Sequence, residues 1–217
     1  MKQTLIALSP STVSLLLLSG LCLILLSVRY FFTLELLGVA LLWNLFLAWV
    51  PLLFALIARR HAGGERALYS HLFIGAWLLF FPNAPYIITD LIHLDHLPAH
   101  LWWYDTLGIF MVAFTGLLLG IYSLSIIHNL LESYWGRVRA WAMVLMSITL
   151  SGFGIYLGRF SRFNSWDLFT DPVFLLRSSV HEALNPLAIK LTLVFTLVLS
   201  VLYISFRNLN IKTDERN

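Results

Sequence analysis

The chain alternates between long apolar runs and short polar connections, and the runs have the length of membrane-spanning helices. About 20 consecutive apolar residues are needed for a helix to cross the hydrocarbon core of a bilayer. Six segments meet this description: residues 11–28, 35–58, 67–93, 106–127, 140–157 and 186–206. The pattern predicts an all-α, polytopic transmembrane helix bundle of about six spans. We expect residues 1–217 to form a single transmembrane domain.

Composition supports the same class and excludes others. Hydrophobic residues make up 59% of the 217 residues and charged residues only 12%, whereas soluble domains carry about 25% charged residues. A disordered chain needs low hydrophobicity and many charges, so it is excluded as well. The net charge of +3 is small and scattered, and we therefore expect no nucleic-acid partner. The single cysteine, Cys22, excludes an intramolecular disulfide and a metal site built from cysteines.

The distribution of lysine and arginine predicts the orientation in the membrane. With six spans, both termini lie on one side, and that side holds nine basic residues: Lys2, Arg59, Arg60, Arg66, Arg137, Arg139, Arg207, Lys212 and Arg216. The other side holds five: Arg29, Arg159, Arg162, Arg177 and Lys190. Because cytoplasmic loops carry an excess of basic residues, we expect both termini to be cytoplasmic.

Two prolines interrupt the third apolar segment. Pro82 and Pro85 each remove a backbone donor and disfavour helix at the preceding residue, so we expect the third span to be broken there. The break is either an ordinary kinked helix end or a discontinuous helix whose freed backbone groups line a polar cavity. Asn83, between the prolines, can supply a hydrogen bond in either case and is a candidate ligand-binding residue.

Downstream of the break, a carboxylate and two imidazoles recur at steps of three. If residues 86–97 are helical, Asp90, His93 and His96 lie along one face. They are candidate ligands of zinc or a similar divalent metal ion, with Asp105 as a further ligand. The alternative is acid–base chemistry with Asp90, His93 and Asp105 as catalytic residues. A third interpretation is an interfacial helix with its polar side toward water, so the identity of any cofactor stays open.

A second polar and aromatic connection, residues 158–172, contains two arginines. Arg159 and Arg162 are one helical turn apart, and we expect them to point the same way. Guanidinium groups suit phosphate, so the pair is a candidate site for a lipid phosphate. The alternative is that the arginines extend to lipid headgroups or pair with a carboxylate, Glu35, Asp105 or Asp167. Together with Asn83, the candidate ligand-binding residues are Arg159, Arg162, Asn164, Trp166 and Asp167.

Two pairs of glycines, Gly116 with Gly120 and Gly154 with Gly158, have the spacing that is typical of close helix packing in membranes. We expect both pairs to pack within the bundle, with a dimer face as the alternative. A homodimer is therefore compatible with the sequence but not indicated by it.

Three stretches of the sequence resemble a known family. The most specific reads FPNAPYIITDLIHL, residues 81–94, and is followed by Trp103-Tyr104-Asp105. The others are residues 43–51, which begin Trp-Asn, and residues 158–167, which begin Gly-Arg-Phe. Together they are similar to a family of bacterial integral membrane proteins described only as a domain of unknown function. The resemblance covers residues 43–166 and implies a multi-pass protein of the bacterial cytoplasmic (inner) membrane, without an activity.

Three functions remain open from the sequence. The first is a binding or assembly protein whose extracytoplasmic Asp, His and Arg residues hold an anionic lipid or a partner. The second is a membrane enzyme, a metal-dependent or acid–base hydrolase or transferase, that acts on a lipid-linked substrate. The third is a small transporter in which Asn44 and the broken third span line a route. Transporters place ionisable residues near the bilayer midplane, and Asn44 is the one obvious polar residue predicted there.

Overall fold

The computed structural model describes residues 9–33, 37–63, 66–96, 100–163 and 167–214. Within these ranges, some side chains are outside the description: those of Leu37, His93, Asp95, His96, Leu168, Phe169 and residues 210–214. The described backbone is helical and contains no strand, which confirms the predicted all-α class.

Apolar runs form the spanning helices, as the hydrophobic pattern predicts. In chain order the helices are α1 (Pro10–Thr33), α2 (Leu37–Arg60), α3 (Ala67–Phe80), α4 (Asn83–Tyr86), a 3₁₀ helix (Ile87–His96), α5 (Trp102–Trp135), α6 (Arg137–Arg159), α7 (Asp167–Thr170), α8 (Pro172–Glu182) and α9 (Pro186–Asp214). In the described ranges, six helical segments are long and apolar enough to cross a membrane: α1, α2, Ala67–Ile92, α5, α6 and α9. The chain is therefore a multi-pass membrane protein.

The longest helix, α5, lies at the centre of the bundle. It packs against α1, α2, α4, the 3₁₀ helix, α6 and α9, and 17 of its 34 residues are buried. By contrast, α1 and α9 lie at the edge and expose mainly aliphatic side chains. Exposed aliphatic surface on a spanning helix suits contact with lipid, because lipid tails are as apolar as leucine.

The third span is broken at the two prolines, as predicted. α3 ends at Phe80, and α4 begins after Pro82 and continues into the 3₁₀ helix. Because proline has no N–H, the hydrogen-bond pattern tightens locally, and Ala84 N donates to the Phe81 carbonyl at 3.2 Å. The Asn83 side chain donates to the Phe80 carbonyl at 3.0 Å. A side chain thus satisfies a carbonyl that the break leaves without its usual helical donor.

Glycines on two neighbouring helices allow this broken segment to pack closely. An added Cβ at Gly116 of α5 would lie 2.9 Å from the Ala84 carbonyl oxygen. On the other side, an added Cβ at Gly154 of α6 would lie 2.9 Å from Pro82 Cγ, and Gly158 is similarly close to the Tyr86 ring. These contacts confirm the prediction that both glycine pairs pack within the bundle.

The fourth span extends beyond the predicted residues 106–127. Residues 128–139, which separate the predicted fourth and fifth spans, are helical almost throughout, since α5 continues to Trp135 and α6 starts at Arg137. Gly136 separates the two helices with φ of 76°, a conformation that other residues rarely adopt. Glu132, in the extension, accepts a hydrogen bond from Arg207 of α9 at 2.9 Å. Glu132 is therefore paired across helices rather than placed in a loop.

Consecutive spans run in opposite directions, so the end of one span and the start of the next lie at the same end of the bundle. Arg29, Asp90, Asp105 and Arg159 lie toward one end of the bundle, together with α8. We call this the site end.

The opposite end is held together by a buried histidine. The Nδ1 atom of His128 lies 2.7 Å from the Tyr203 hydroxyl and 3.1 Å from Arg207 Nη1. Because a guanidinium can only donate, Nδ1 is the acceptor in the contact with Arg207. The Trp141 ring of α6 packs edge-on against the imidazole. His128 therefore joins α5 to both α6 and α9.

The close approach at Gly154 predicts a stability effect. Gly154→Leu should lower the free energy of unfolding by about 1–3 kcal/mol, the usual effect of overpacking a filled interior, because the new side chain must displace Pro82. The control is Gly75→Leu, since nothing lies within 4 Å of the Cβ position at Gly75 on α3. Thermal unfolding in detergent measures both variants. Equal melting temperatures would contradict the packing role of Gly154.

Candidate functional site

Asp90 is the centre of a polar cluster that joins three spans at the site end. Its carboxylate is buried, with 4% of the residue exposed. One oxygen, Oδ2, accepts a hydrogen bond from Asn44 Nδ2 of α2 at 2.8 Å. The other, Oδ1, accepts from Arg159 Nη1 of α6 at 3.1 Å. The 3₁₀ helix that carries Asp90 is therefore tied to α2 and α6 through a single carboxylate.

Arg159 makes further contacts with the segment that follows the break. Its Nη2 donates to the Thr89 carbonyl at 2.9 Å, and its guanidinium carbon lies 5.9 Å from the centre of the Tyr86 ring. Arg159 is the last residue of α6, where a cation also interacts favourably with the helix dipole. The guanidinium is thus fixed by a carboxylate, a carbonyl and an aromatic face.

A second ion pair joins α1 to α5 at the same end. Arg29 Nε donates to Asp105 Oδ1 at 2.6 Å and Nη2 donates to Oδ2 at 3.1 Å, so the pair is bidentate. Both side chains are buried, and Arg29 also donates to the Thr33 hydroxyl. The neighbouring Tyr104 hydroxyl donates to the Leu25 carbonyl of α1 at 2.8 Å. Asp105 therefore positions α1, and its pairing with Arg29 is one that the sequence pattern did not predict.

A cavity of about 200 Å³ lies beside the Asp90 cluster, between α2, the broken third span and α6. Three polar side chains reach it: Asn44, Asn83 and Tyr86. The rest of the wall is apolar or formed by glycine and proline: Trp43, Leu47, Leu79, Pro82, Gly154, Leu157, Gly158, Phe163 and Leu175. Apolar walls with a few convergent polar groups are typical of small-molecule sites.

Arg162 does not lie beside Arg159 on a helix face, so the prediction that the two arginines point the same way is wrong. α6 ends at Arg159, and the chain turns back so that Phe163 N donates to the Leu157 carbonyl at 3.2 Å. Arg162 has φ of 59°, in the left-handed region, and its side chain is exposed. It directly precedes Phe163, a residue of the cavity wall.

Several predicted site residues keep the status of predictions. Asn164 and Trp166 lie outside the described residues, as do the side chains of His93 and His96. The backbone of His93 and His96 belongs to the 3₁₀ helix, in which residues three apart share a face. Among the described residues, no group of three or more potential metal ligands comes together. Asp167 begins α7, outside the cavity wall.

Helix α8 borders the cavity at the site end. Leu175 contributes to the cavity wall, and the Phe174 ring packs against Phe163 with centroids 5.9 Å apart. Asp171 caps the helix by accepting a hydrogen bond from Phe174 N at 3.1 Å, and Pro172 occupies the first turn. The start of α8 therefore contributes one wall residue, Leu175, and packs against another, Phe163.

The other end of α8 is tied to α6 by a hydrogen bond. The Tyr156 hydroxyl donates to Glu182 Oε2, which also accepts from Asn185 Nδ2 at 3.0 Å. These hydrogen bonds, with that from Tyr156 the larger cause, lower the pKa of Glu182 below its usual value. Glu182 therefore carries its charge at neutral pH.

Comparison with known proteins identifies the family of the chain. A family model described as "Protein of unknown function (DUF1361)" matches residues 43–202, well over half of the chain. The chain belongs to this family. The predicted membership of a family of unknown function is thereby confirmed, and the matched region extends beyond residue 166 through α8 into α9. No curated protein and no solved structure matches the chain.

The Asp90–Arg159 pair predicts non-additive stability effects. Asp90→Ala and Arg159→Ala should each lower the free energy of unfolding by about 3 kcal/mol, because each leaves a poorly solvated charge without its partner. The double variant should lose less than the sum, with a coupling of about 1–3 kcal/mol between residues in contact. Denaturant unfolding in mixed micelles supplies the four free energies of the cycle.

The control cycle combines Asp90→Ala with Arg207→Ala, which removes a cation at the opposite end of the bundle. Mutations at distant sites without shared partners should add to within about 0.5 kcal/mol. Additivity in both cycles would show that Asp90 and Arg159 do not interact energetically.

Proposed function

We propose that this protein binds an anionic lipid at the site end of the bundle, with the headgroup in the cavity and close to Arg162. In this proposal the site end is extracytoplasmic, both termini are cytoplasmic, and the membrane is the bacterial inner membrane. The distribution of nine basic residues against five supports the orientation. The resemblance to a bacterial family supports the choice of membrane.

Three exposed cations at the site end carry the proposal. Two of the described carboxylates at this end are each paired with a guanidinium, Asp90 with Arg159 and Asp105 with Arg29. Asp171 and Glu182 accept hydrogen bonds from uncharged donors, and Asp167 begins α7. Three cations are exposed and make no hydrogen bond or ion pair to the described part of the chain: Arg162, Arg177 and Lys190. Among the described residues at this end, five carboxylates balance five basic side chains, so the attraction for an anionic headgroup comes from the local exposure of these three cations and not from a net positive charge.

The cavity supports a ligand with a small polar head. Its volume of about 200 Å³ is below the range of about 300–1,000 Å³ that is usual for drug-sized ligands. A phosphoglycerol headgroup suits such a space better than a lipid-linked oligosaccharide does. Asn44, Asn83 and Tyr86 supply hydrogen-bonding groups, and the aliphatic and aromatic walls suit the start of an acyl chain.

Binding fits the site better than catalysis by its carboxylates. Both oxygens of Asp90 accept hydrogen bonds from protein donors, and Asp105 forms a bidentate pair with Arg29. A general base must reach the proton that it removes from a substrate, and these oxygens are already directed at protein groups. An enzyme at this site would therefore have to use His93 as its acid–base residue, with a lipid-linked substrate.

Removing the exposed cation beside the cavity should weaken lipid binding. Delipidated protein is titrated with phosphatidylglycerol and, separately, with phosphatidylcholine, and bound lipid is counted by native mass spectrometry. Arg162→Gln should bind phosphatidylglycerol about tenfold more weakly, the effect of losing one charge-assisted hydrogen bond. The control, Arg139→Gln, removes an exposed cation at the opposite end. Equal binding by all three proteins, or an equal loss in both variants, would overturn the proposal.

Filling the cavity should block the same ligand. Leu175→Trp adds volume at the cavity wall, whereas Leu176→Trp adds it at a neighbouring residue that is exposed. We expect the first variant to lose bound phosphatidylglycerol and the second to retain it, with similar melting temperatures for both. Retention in Leu175→Trp would mean that the lipid binds outside the cavity.

A further inference from the structure

Helix α8 turns two different faces toward its surroundings. Leu175, Ser178 and Glu182 lie on one side at helical spacing, and this side faces the bundle through the cavity wall and the Tyr156 hydrogen bond. The opposite side carries three aliphatic residues at the same kind of spacing: Val173, Leu176 and Val180. The face turned away from the protein is therefore apolar.

This outward face is not covered by the described part of the protein. Val173, Leu176 and Val180 are 59%, 67% and 65% exposed, and no residue of α8 is buried. The exposed apolar surface continues through Leu184 to Leu187, at the start of spanning helix α9. The surface of α8 is thus continuous with a surface that faces the membrane.

The position of α8 along the bundle is fixed by its connections. It follows α6 and precedes α9, two spans that reach the same side of the membrane. Tyr156, which binds Glu182, lies three residues before the end of α6, which corresponds to about 5 Å along a helix axis. The C-terminal end of α8 is therefore held close to the end of α6.

We infer that α8 lies in the plane of the membrane interface, with Val173, Leu176 and Val180 in contact with the lipids of the leaflet at the site end. Arg177, exposed on the border of this face, then lies among the headgroups and favours anionic lipids. A helix with an apolar face and a charged border at the membrane surface is typical of an interfacial helix. The inference does not depend on whether the cavity binds a lipid.

Site-specific fluorescence quenching tests the inference on the full chain. Cys22 is replaced by alanine, and a single cysteine at Val180→Cys or, as a second reporter, Val173→Cys carries a bimane label. The matched control is Ser178→Cys, on the face toward the bundle. The proteins are reconstituted into vesicles of phosphatidylcholine and phosphatidylglycerol. Quenching is measured with a lipid that is spin-labelled near the headgroup and with aqueous iodide.

We expect the lipid quencher to reduce the fluorescence of the Val180 and Val173 labels at least about twofold more than that of the Ser178 label, as for the apolar face of an interfacial helix. Iodide should have little effect on the two outward labels. Strong quenching by iodide would place this face in water. Quenching by neither reagent would mean that protein covers the face, for example a second copy of the chain, and either result would overturn the inference.

Discussion

The ion pair between Asp90 and Arg159 is the interaction on which the site end depends. A charged group inside the membrane is costly unless it is paired or faces water, and here each charge compensates the other. Asn44 donates a hydrogen bond to the other oxygen of the Asp90 carboxylate, so the pair joins α2, the broken third span and α6. The Arg29–Asp105 pair does the same for α1 and α5. These two pairs thus join the ends of five spans.

The geometry of the first pair follows from the break in the third span. The prolines end α3 at Phe80 and are followed by a 3₁₀ helix, which carries Asp90 toward Arg159. Side chains on α5 and α6 at the level of the break would keep these helices away from the broken segment. Gly116 on one side and Gly154 on the other remove that obstacle, because a Cβ at either position would meet the broken segment. The prolines and the glycines are therefore parts of one arrangement.

The sequence predicts local features well and pairings less well. The spans, the break at Pro82 and Pro85 and the packing of the glycines follow from the length of apolar runs, the missing N–H and the absence of a Cβ. The partner of Arg159 depends on which spans become neighbours, so Asp90 was not among the three carboxylates considered for it. The sequence places Arg29 among the basic residues of one side of the membrane but gives no indication that it pairs with Asp105. The turn at Arg162 requires positive φ in an arginine, which has no sequence signal.

Under the proposed function, the paired charges of the interior and the exposed Arg162 favour a lipid over a free anion as the ligand. A free anion in the cavity would meet no uncompensated cation, since Arg159 is already paired with Asp90 behind Asn44. In the proposed site, a lipid phosphate remains near the exposed Arg162 while its uncharged groups enter between Asn83 and the apolar wall. The phosphate of a phosphoglycerol headgroup would then lie near Arg162, and its glycerol would lie in the uncharged cavity, so one headgroup matches both parts of the site.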